Sequence, residues 1–329
     1  MALSKILPAS QEQYAGARNL IINGSMICSQ RGVSSGSISS NGYSSLDRWY
    51  VNASGGTYTL SQEDFTVGQT DVPDFPKHYM RFAVTTGDNN IGVHQRVEDV
   101  TVLGGKTVTL SFWAKGTNPD GGSFVSSWIQ NFGSGGSSSV ETEVDSGIVL
   151  TSSWQKFNIT FDVPSVSGKT IGAGSFTWVE LLRQPGVDTG TGGWTADIAQ
   201  VQLELGSIAT PFEHRSYGDE LARCQRYFYG PTSRYANGAV GGNTNYPRCT
   251  SQSSFPVTMR ATPTCTFESS NPQTSGKLER QNGVDSGTAT ISADKDGIHY
   301  FFISGESSSN NAYNLMLYQF GNLKADAEL

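Results

Sequence analysis

The sequence predicts an all-β protein: a jelly-roll β-sandwich, a short connecting helix, and a second, smaller β-sandwich domain. Three observations predict it. Runs of alternating apolar and polar residues recur along the chain, which is the two-residue period of a half-buried strand. Gly, Ser, Thr and Asn interrupt these runs at short intervals, and 38 glycines supply turn positions. Charged residues make up only 16%, against about 25% in an average globular chain, which suits turns and strands better than helices.

Residues 1–18 are polar and non-periodic apart from Leu3, Ile6 and Leu7, as expected of an arm that docks onto another component. Residues 19–216 read as the jelly roll. Its strands are predicted at Asn19–Cys28, Trp49–Asn52, Thr57–Leu60, Tyr79–Val84 and Ile91–Val97. Next comes a clear alternation in which Val108, Leu110, Phe112 and Ala114 oppose Thr107, Thr109, Ser111 and Trp113. The Gly/Ser tract 121–139 reads as a long surface loop flanking Trp128. Strand alternation resumes with Phe157, Ile159, Phe161 and Val163 inward, then at Phe176–Leu182. In the last run Ala199, Val201, Leu203 and Leu205 oppose Gln200, Gln202 and Glu204. Many short strands with no intervening helical period indicate two packed antiparallel sheets.

Residues 217–230 read as the connector helix. Ser216 is a suitable N-cap, Asp219 and Glu220 sit near the positive helix end, Arg223 and Arg226 follow, and Gly230-Pro231 marks a stop. Leu221, Cys224 and Tyr227 or Phe228 form its apolar stripe. Residues 231–329 return to strand patterns at Phe255–Met259, Thr264–Phe267, Thr288–Ser292, His299–Ile303 and Tyr313–Phe320, and the last five residues read as polar and exposed.

A net charge of −7 without a Lys/Arg cluster argues against a nucleic-acid partner. No apolar run approaches the roughly 20 residues of a spanning helix, so no membrane insertion is expected. The start lacks a signal-peptide core, which predicts synthesis and retention in a cytosol until release. Cys28, Cys224, Cys249 and Cys265 are scattered, without metal-ligand spacing, and read as reduced core or strand residues.

Catalytic patterns are absent. His78, His94, His214 and His299 lie in no nucleophile or zinc motif and read as surface or packing residues. Glu63/Asp64, Glu98/Asp99, Glu180 and Asp188 are carboxylates that could be paired for glycoside hydrolysis, but they read as solvated loop groups. The expectation is a protein that is not an enzyme and needs no cofactor.

Three stretches carry a resemblance. Asn19-Leu-Ile-Ile-Asn-Gly-Ser-Met-Ile-Cys-Ser-Gln-Arg-Gly32, with Tyr43 and Asp47-Arg-Trp-Tyr50, resembles the opening of the carbohydrate-binding-module-like domains of marine phage tail fibres. The stretch from Val201-Gln-Leu-Glu-Leu205 through Pro211-Phe-Glu-His214 to Tyr229 is similar to the close of that domain and its following helix. Ser254–Thr264 and the terminal Ala-Asp-Ala-Glu-Leu resemble the C-terminal part of the same proteins. The resemblance implies a jelly roll in a virion, a homotrimer attached to other virion proteins through its arm, and contact with a host glycan or outer-membrane receptor. A capsid fibre, decoration or tail adaptor with a purely structural role is the alternative. The resemblance also makes Trp49 a core anchor, with Arg48 pairing inside the domain. Related sandwiches clamp their end strands with calcium, and Asn23, Asp197 and Glu204 would be the contributors, although no dense Asp-x-Asp run accompanies them.

Glycan contact would fall to aromatic faces flanked by Asn, Gln, Asp and Arg. Trp113, Trp128, Trp178 and Trp194 are the predicted suppliers, with a core edge or subunit contact as the competing role for each.

Overall fold

A computed structural model describes residues 18–53, 55–86, 90–119, 122–185, 193–241, 248–269, 275, 279–280, 288–304 and 315–329. The predicted arm, apart from Arg18, and Asp188 lie outside these residues. The chain divides into two compact units, Met1–Ser216 and Tyr217–Leu329.

The first unit holds β1 (Gly42–Tyr43), β2 (Tyr50–Asn52), β3 (Thr57–Asp64), β4 (His78–Thr86), β5 (Gly92–Glu98), β6 (Thr107–Gly116), β7 (Phe124–Asn131), β8 (Val140–Ile148), β9 (Gln155–Asp162), β10 (Phe176–Arg183) and β11 (Trp194–Leu205). They form two antiparallel sheets, a six-stranded one ordered β1-β2-β5-β10-β7-β8 and a five-stranded one ordered β3-β4-β11-β6-β9. Only β1–β2, β3–β4 and β7–β8 are sequential neighbours within a sheet. Every other pair of consecutive strands is split between the two sheets, as in a jelly roll.

The core lies between the sheets. Val51, Val93, Trp128, Val179 and Leu181 come from one, and Leu60, Phe82, Leu110, Phe112 and Ile198 from the other. Val108, Leu110, Phe112 and Ala114 of β6 are fully buried, as their alternation predicts. On β11 the parity switches: Ala196 and Ile198 point inward, and so do Val201 and Leu203. A β-bulge between Ala199 and Gln202, with Gln200 at φ 48°, inserts the residue that changes the face. Ala199 therefore leaves the inward set that simple alternation assigned it.

In the first unit two predicted elements differ. Asn19–Cys28 is a series of turns rather than a strand, because asparagine side chains take the backbone groups a ladder would use. Asn23 Oδ1 accepts from Cys28 N–H at 2.9 Å, and its amide donates to Cys28 O and Asp47 O at 2.8 and 3.0 Å. The tract 121–139 is not simply a loop, since it contains β7, in which Phe124 and Trp128 are buried, and Phe132 just after it is buried too. Trp49 is fully buried, and Arg48, 1% exposed, donates to Arg96 O at 2.7 Å within the same unit.

The second unit opens with α1 (Tyr217–Gln225), whose buried side is Glu220 and Cys224. The helix stops well before Gly230-Pro231, because Phe228 already begins β12 (Phe228–Gly241). There follow β13 (Arg248–Ser254), β14 (Thr264–Ser269), β15 (Glu279–Arg280), β16 (Thr288–Ala293), β17 (Gly297–Ser304) and β18 (Leu315–Asp326). Their antiparallel order is β14-β18-β12-β13-β17-β16, with β15 on β18. Phe255 and Met259 enter this core from a non-strand segment. The chain end is not the exposed tail its composition suggests: Ala325 is fully buried in β18 between Tyr229 and Cys265. Cys28, Cys224 and Cys265 are free thiols, and burial pushes the Cys265 thiol up to about 11.

Candidate functional site

The six-stranded sheet turns a distinctive row of side chains away from the core. Its register sets Tyr43 beside Tyr50, Tyr50 beside His94, and His94 beside Glu180; one pleat along, Arg96 lies beside Trp178, Trp178 beside Ile129, and Ile129 beside Glu141. In β5 and β10 the intervening residues Val93, Val97 and Val179 face inward, so alternation delivers His94, Arg96, Trp178 and Glu180 to the outer face.

These rings form one layered assembly. Tyr43 meets Tyr50 edge-on at 5.0 Å, Tyr50 lies 4.8 Å from His94, and His94 stacks on Trp178 at 3.5 Å and 20°. The Arg96 guanidinium sits 4.1 Å from the Tyr50 ring centre, 5.0 Å from that of Phe176 and 5.9 Å from that of Trp178. Such cation–π contacts hold the aromatic surface rigid. His94 is fully buried beneath it, and neither of its ring nitrogens has a hydrogen-bond partner among the described residues. Burial, then the neighbouring Arg96, holds its pKa well below the ordinary imidazole value, so the ring is a neutral cushion for Trp178.

Beside the stack lies a polar depression of about 210 Å³ between Asn52, Asn90, Ile129, Glu141, Trp178 and Arg183. Arg183 organises it. Its Nε donates to Glu180 Oε2 at 3.1 Å, one Nη donates to Ser127 Oγ at 2.7 Å and lies 3.6 Å from Glu141 Oε1, and the other donates to Asn90 Oδ1. Glu180 is 1% exposed rather than the solvated loop carboxylate its sequence context suggests. Gly92 leaves room for it, since a Cβ there would stand 2.7 Å from Glu180 Oε1. Burial outweighs the Arg183 guanidinium and pushes the Glu180 carboxyl from an ordinary 4.5 up to about 8.

A pH dependence follows. The native state keeps the Glu180 proton while the unfolded chain releases it, so this group removes stability as pH rises from 4.5 to about 8. His94 acts in the opposite sense: the unfolded imidazole protonates below 6.5 and the native one does not, so stability falls as pH drops below that value. Denaturant unfolding of Glu180→Gln is expected to match the wild type near pH 5 and to be increasingly more stable toward pH 8. Parallel pH profiles for the two proteins would show that Glu180 is ionised in the native state.

Of the four tryptophans singled out in the sequence, the structure brings only Trp178 to this face. Trp128 and Trp194 are 2% and 1% exposed and cannot offer a platform. Their nearby glycines are loop neighbours in sequence, while both rings point between the sheets. Trp113 is half-buried on the outer face of the five-stranded sheet, in a separate groove. The sequence assigns no role to Tyr50, Arg96 and Arg183 of this site, reads His94 as a surface or packing residue, and reads Glu180 as a solvated carboxylate. Their signal was the period-2 pattern of Gly92–Glu98 and Phe176–Arg183, read for strand formation but not for what its outer half carries.

The three proposed calcium ligands do not form a site. Both Asp197 oxygens accept from Arg81 at 2.7 and 2.9 Å. Glu204 is bonded to Thr210 and paired with Arg18 at 3.1 Å, and the Asn23 amide is spent on backbone. Among the described residues no group of three or more His, Cys, Asp or Glu is placed to hold a metal ion. Nor is any described helix long and apolar enough to cross a membrane.

No family model matches the chain, and no curated protein matches it. Among solved structures it is similar to the enzymatically active domain of tailspike protein 4 from bacteriophage CBA120, at 14% identity over 57% of this chain and 22% of that one, with a TM-score of 0.35. It thus spans about a fifth of that tailspike chain. It is also similar to the CBM22-1 xylan-binding domain of a Paenibacillus barcinonensis protein, at 12% identity over 49% of this chain and 87% of that one, with a TM-score of 0.31. A third is the N-terminal cellulose-binding domain of β-1,4-glucanase C from Cellulomonas fimi, at 17% identity over 56% of this chain and 99% of that one, with a TM-score of 0.31.

Proposed function

We propose that the chain is a non-catalytic glycan-binding protein of a phage tail fibre or short virion appendage, and that the outer face of the six-stranded sheet contacts the sugar. One observation carries the reading: the Tyr50–His94–Trp178 stack, stiffened by Arg96, adjoins a rim of Arg183, Glu141 and asparagine amides. A flat aromatic face accepts the C–H side of a pyranose, and oriented amides, carboxylate and guanidinium satisfy its hydroxyls. The rim is preorganised, which lowers the ordering cost of binding. Glu180 is enclosed under Arg183 rather than open to a scissile bond, which favours binding over hydrolysis. The virion setting rests on the resemblance of the Asn19–Gly32 and Val201–Tyr229 stretches to phage tail-fibre domains. Assembly as a homotrimer sums weak single sites by avidity.

The experiment is adsorption of the purified, labelled protein to bacterial cells and to arrayed bacterial surface polysaccharides, with its mass measured by light scattering. Saturable binding competed by soluble polysaccharide, and the mass of three chains, are expected. A correctly folded oligomer that adsorbs to neither, or a monomer at micromolar concentration, contradicts the proposal.

A further inference from the structure

We infer that the first unit carries a second sugar-binding site, on the five-stranded sheet, whose platform is Trp113. This inference does not rest on the Trp178 face. A groove of about 450 Å³ opens on the outer side of that sheet, within the range of about 300–1,000 Å³ typical of small-molecule sites. Trp113 and Ser111 of β6 and Lys156 of β9 form its floor, with Lys156 directly opposite Trp113 in register. Its walls are the turn at Pro73-Asp74 and the segment 209–212.

The walls are built rather than incidental. Gln200 Nε2 donates to Pro73 O at 2.8 Å, which ties the first wall to the floor. Thr210 N–H donates to Glu204 Oε2 at 3.0 Å and Glu213 N–H to Gln202 Oε1 at 2.7 Å, which tie down the second. Asp74 Oδ2, 3.8 Å from His214 Nε2, joins one wall to the chain just past the other. Two non-glycine residues lining this groove hold positive φ: Asp74 at 61° and Gln200 at 48°. L-residues adopt that conformation rarely, and it persists where surrounding contacts enforce it, as at binding sites. The β11 bulge that flips the strand's parity is the same device that aims Gln200 at the wall.

The floor carries unspent recognition groups. The Trp113 indole is engaged by no ring, cation or hydrogen bond among the described residues. Trp154, by contrast, is closed in by Phe65 at 5.2 Å, Tyr79 at 5.5 Å and the Lys115 ammonium at 5.1 Å. The exposed Lys156 ammonium likewise has no partner among the described residues. An open indole face beside a free three-donor cation, in a groove walled by proline and phenylalanine, suits a pyranose residue of a glycan chain. With sugar sites on both outer faces of one sandwich, a single unit can bridge two glycan strands.

Fluorine NMR of the full chain with 5-fluorotryptophan at its six tryptophans tests this. Trp113→Phe identifies the Trp113 resonance while leaving the others in place. The probes are the methyl glycosides of glucose, galactose, mannose, N-acetylglucosamine and glucuronic acid at millimolar concentration. The Trp113 resonance is expected to move saturably with at least one glycoside and to move equally in Trp178→Ala. Lys156→Gln is expected to weaken that titration about fivefold. A Trp113 resonance unmoved by every probe, or one whose shift disappears in Trp178→Ala, overturns the second site. If only Trp178 responds, the groove is refuted and the Trp178 face stands.

Discussion

Trp178→Ala is expected to weaken glycan binding at the six-stranded sheet, read from titration of the Gly92–Glu98 resonances, by about 30- to 100-fold, the cost of truncating a central aromatic contact. The size follows from what the ring does. It is the outer layer of the stack on His94, and its removal takes away the platform and uncovers the rim defined by Arg183 and Glu141. The substitution has a second signature that loss of binding alone does not have. Opening the cover over His94 restores its hydration, so its pKa is expected to climb back toward 6.5 and the ring to titrate in NMR spectra of the folded variant. A titration at the Gly92–Glu98 resonances within a few-fold of wild type in this variant would show that the Trp178 ring is not the platform for the sugar.

Trp194→Ala is expected to damage stability rather than recognition. The Trp194 ring packs edge-on against Phe82 at 5.1 Å and Phe124 at 4.8 Å, and its indole N–H donates to Gln184 Oε1 at 2.7 Å. Truncation leaves a cavity between the sheets and a buried amide without its partner, together costing about 3–5 kcal/mol. For a unit of this size that lowers Tm by roughly 6–20 °C. Calorimetry checks it. A Tm within 3 °C of wild type, at about 2–4 °C per kcal/mol, would mean that the ring is not a core anchor.

These two tryptophans look alike in sequence, since each sits at a strand near glycine, and that similarity marks the limit of what the chain discloses locally. Alternation discloses β6 and β9 fully, because each face stays on one side of the sheet throughout. It misassigns Ala199 on β11, because a single inserted residue reverses every later side chain. The serine-rich start of β7 hides as a loop because Ser126 and Ser127 are small and polar yet buried, and Ser126 Oγ donates to Glu180 O at 2.6 Å. The turns at Asn19–Cys28 read as a strand because their apolar residues suggest one, whereas two asparagine side chains decide the backbone. The candidate site was the least legible feature. Tyr50, His94, Trp178 and Glu180 are spread over 131 positions of sequence and meet only because the crossovers place β2, β5 and β10 side by side. Neither the burial of Glu180 nor that of His94 can be read from their neighbours along the chain.

Backbone chemical-shift mapping with an oligosaccharide cut from the bacterial surface polysaccharide that the protein adsorbs to is the most direct measurement. The largest shifts are expected at Tyr50–Asn52, Gly92–Glu98 and Phe176–Arg183, with any shifts around Trp113 forming a separate set. Shifts confined to the second unit, or scattered without including Trp178 and Arg183, would contradict a sugar site on the six-stranded sheet.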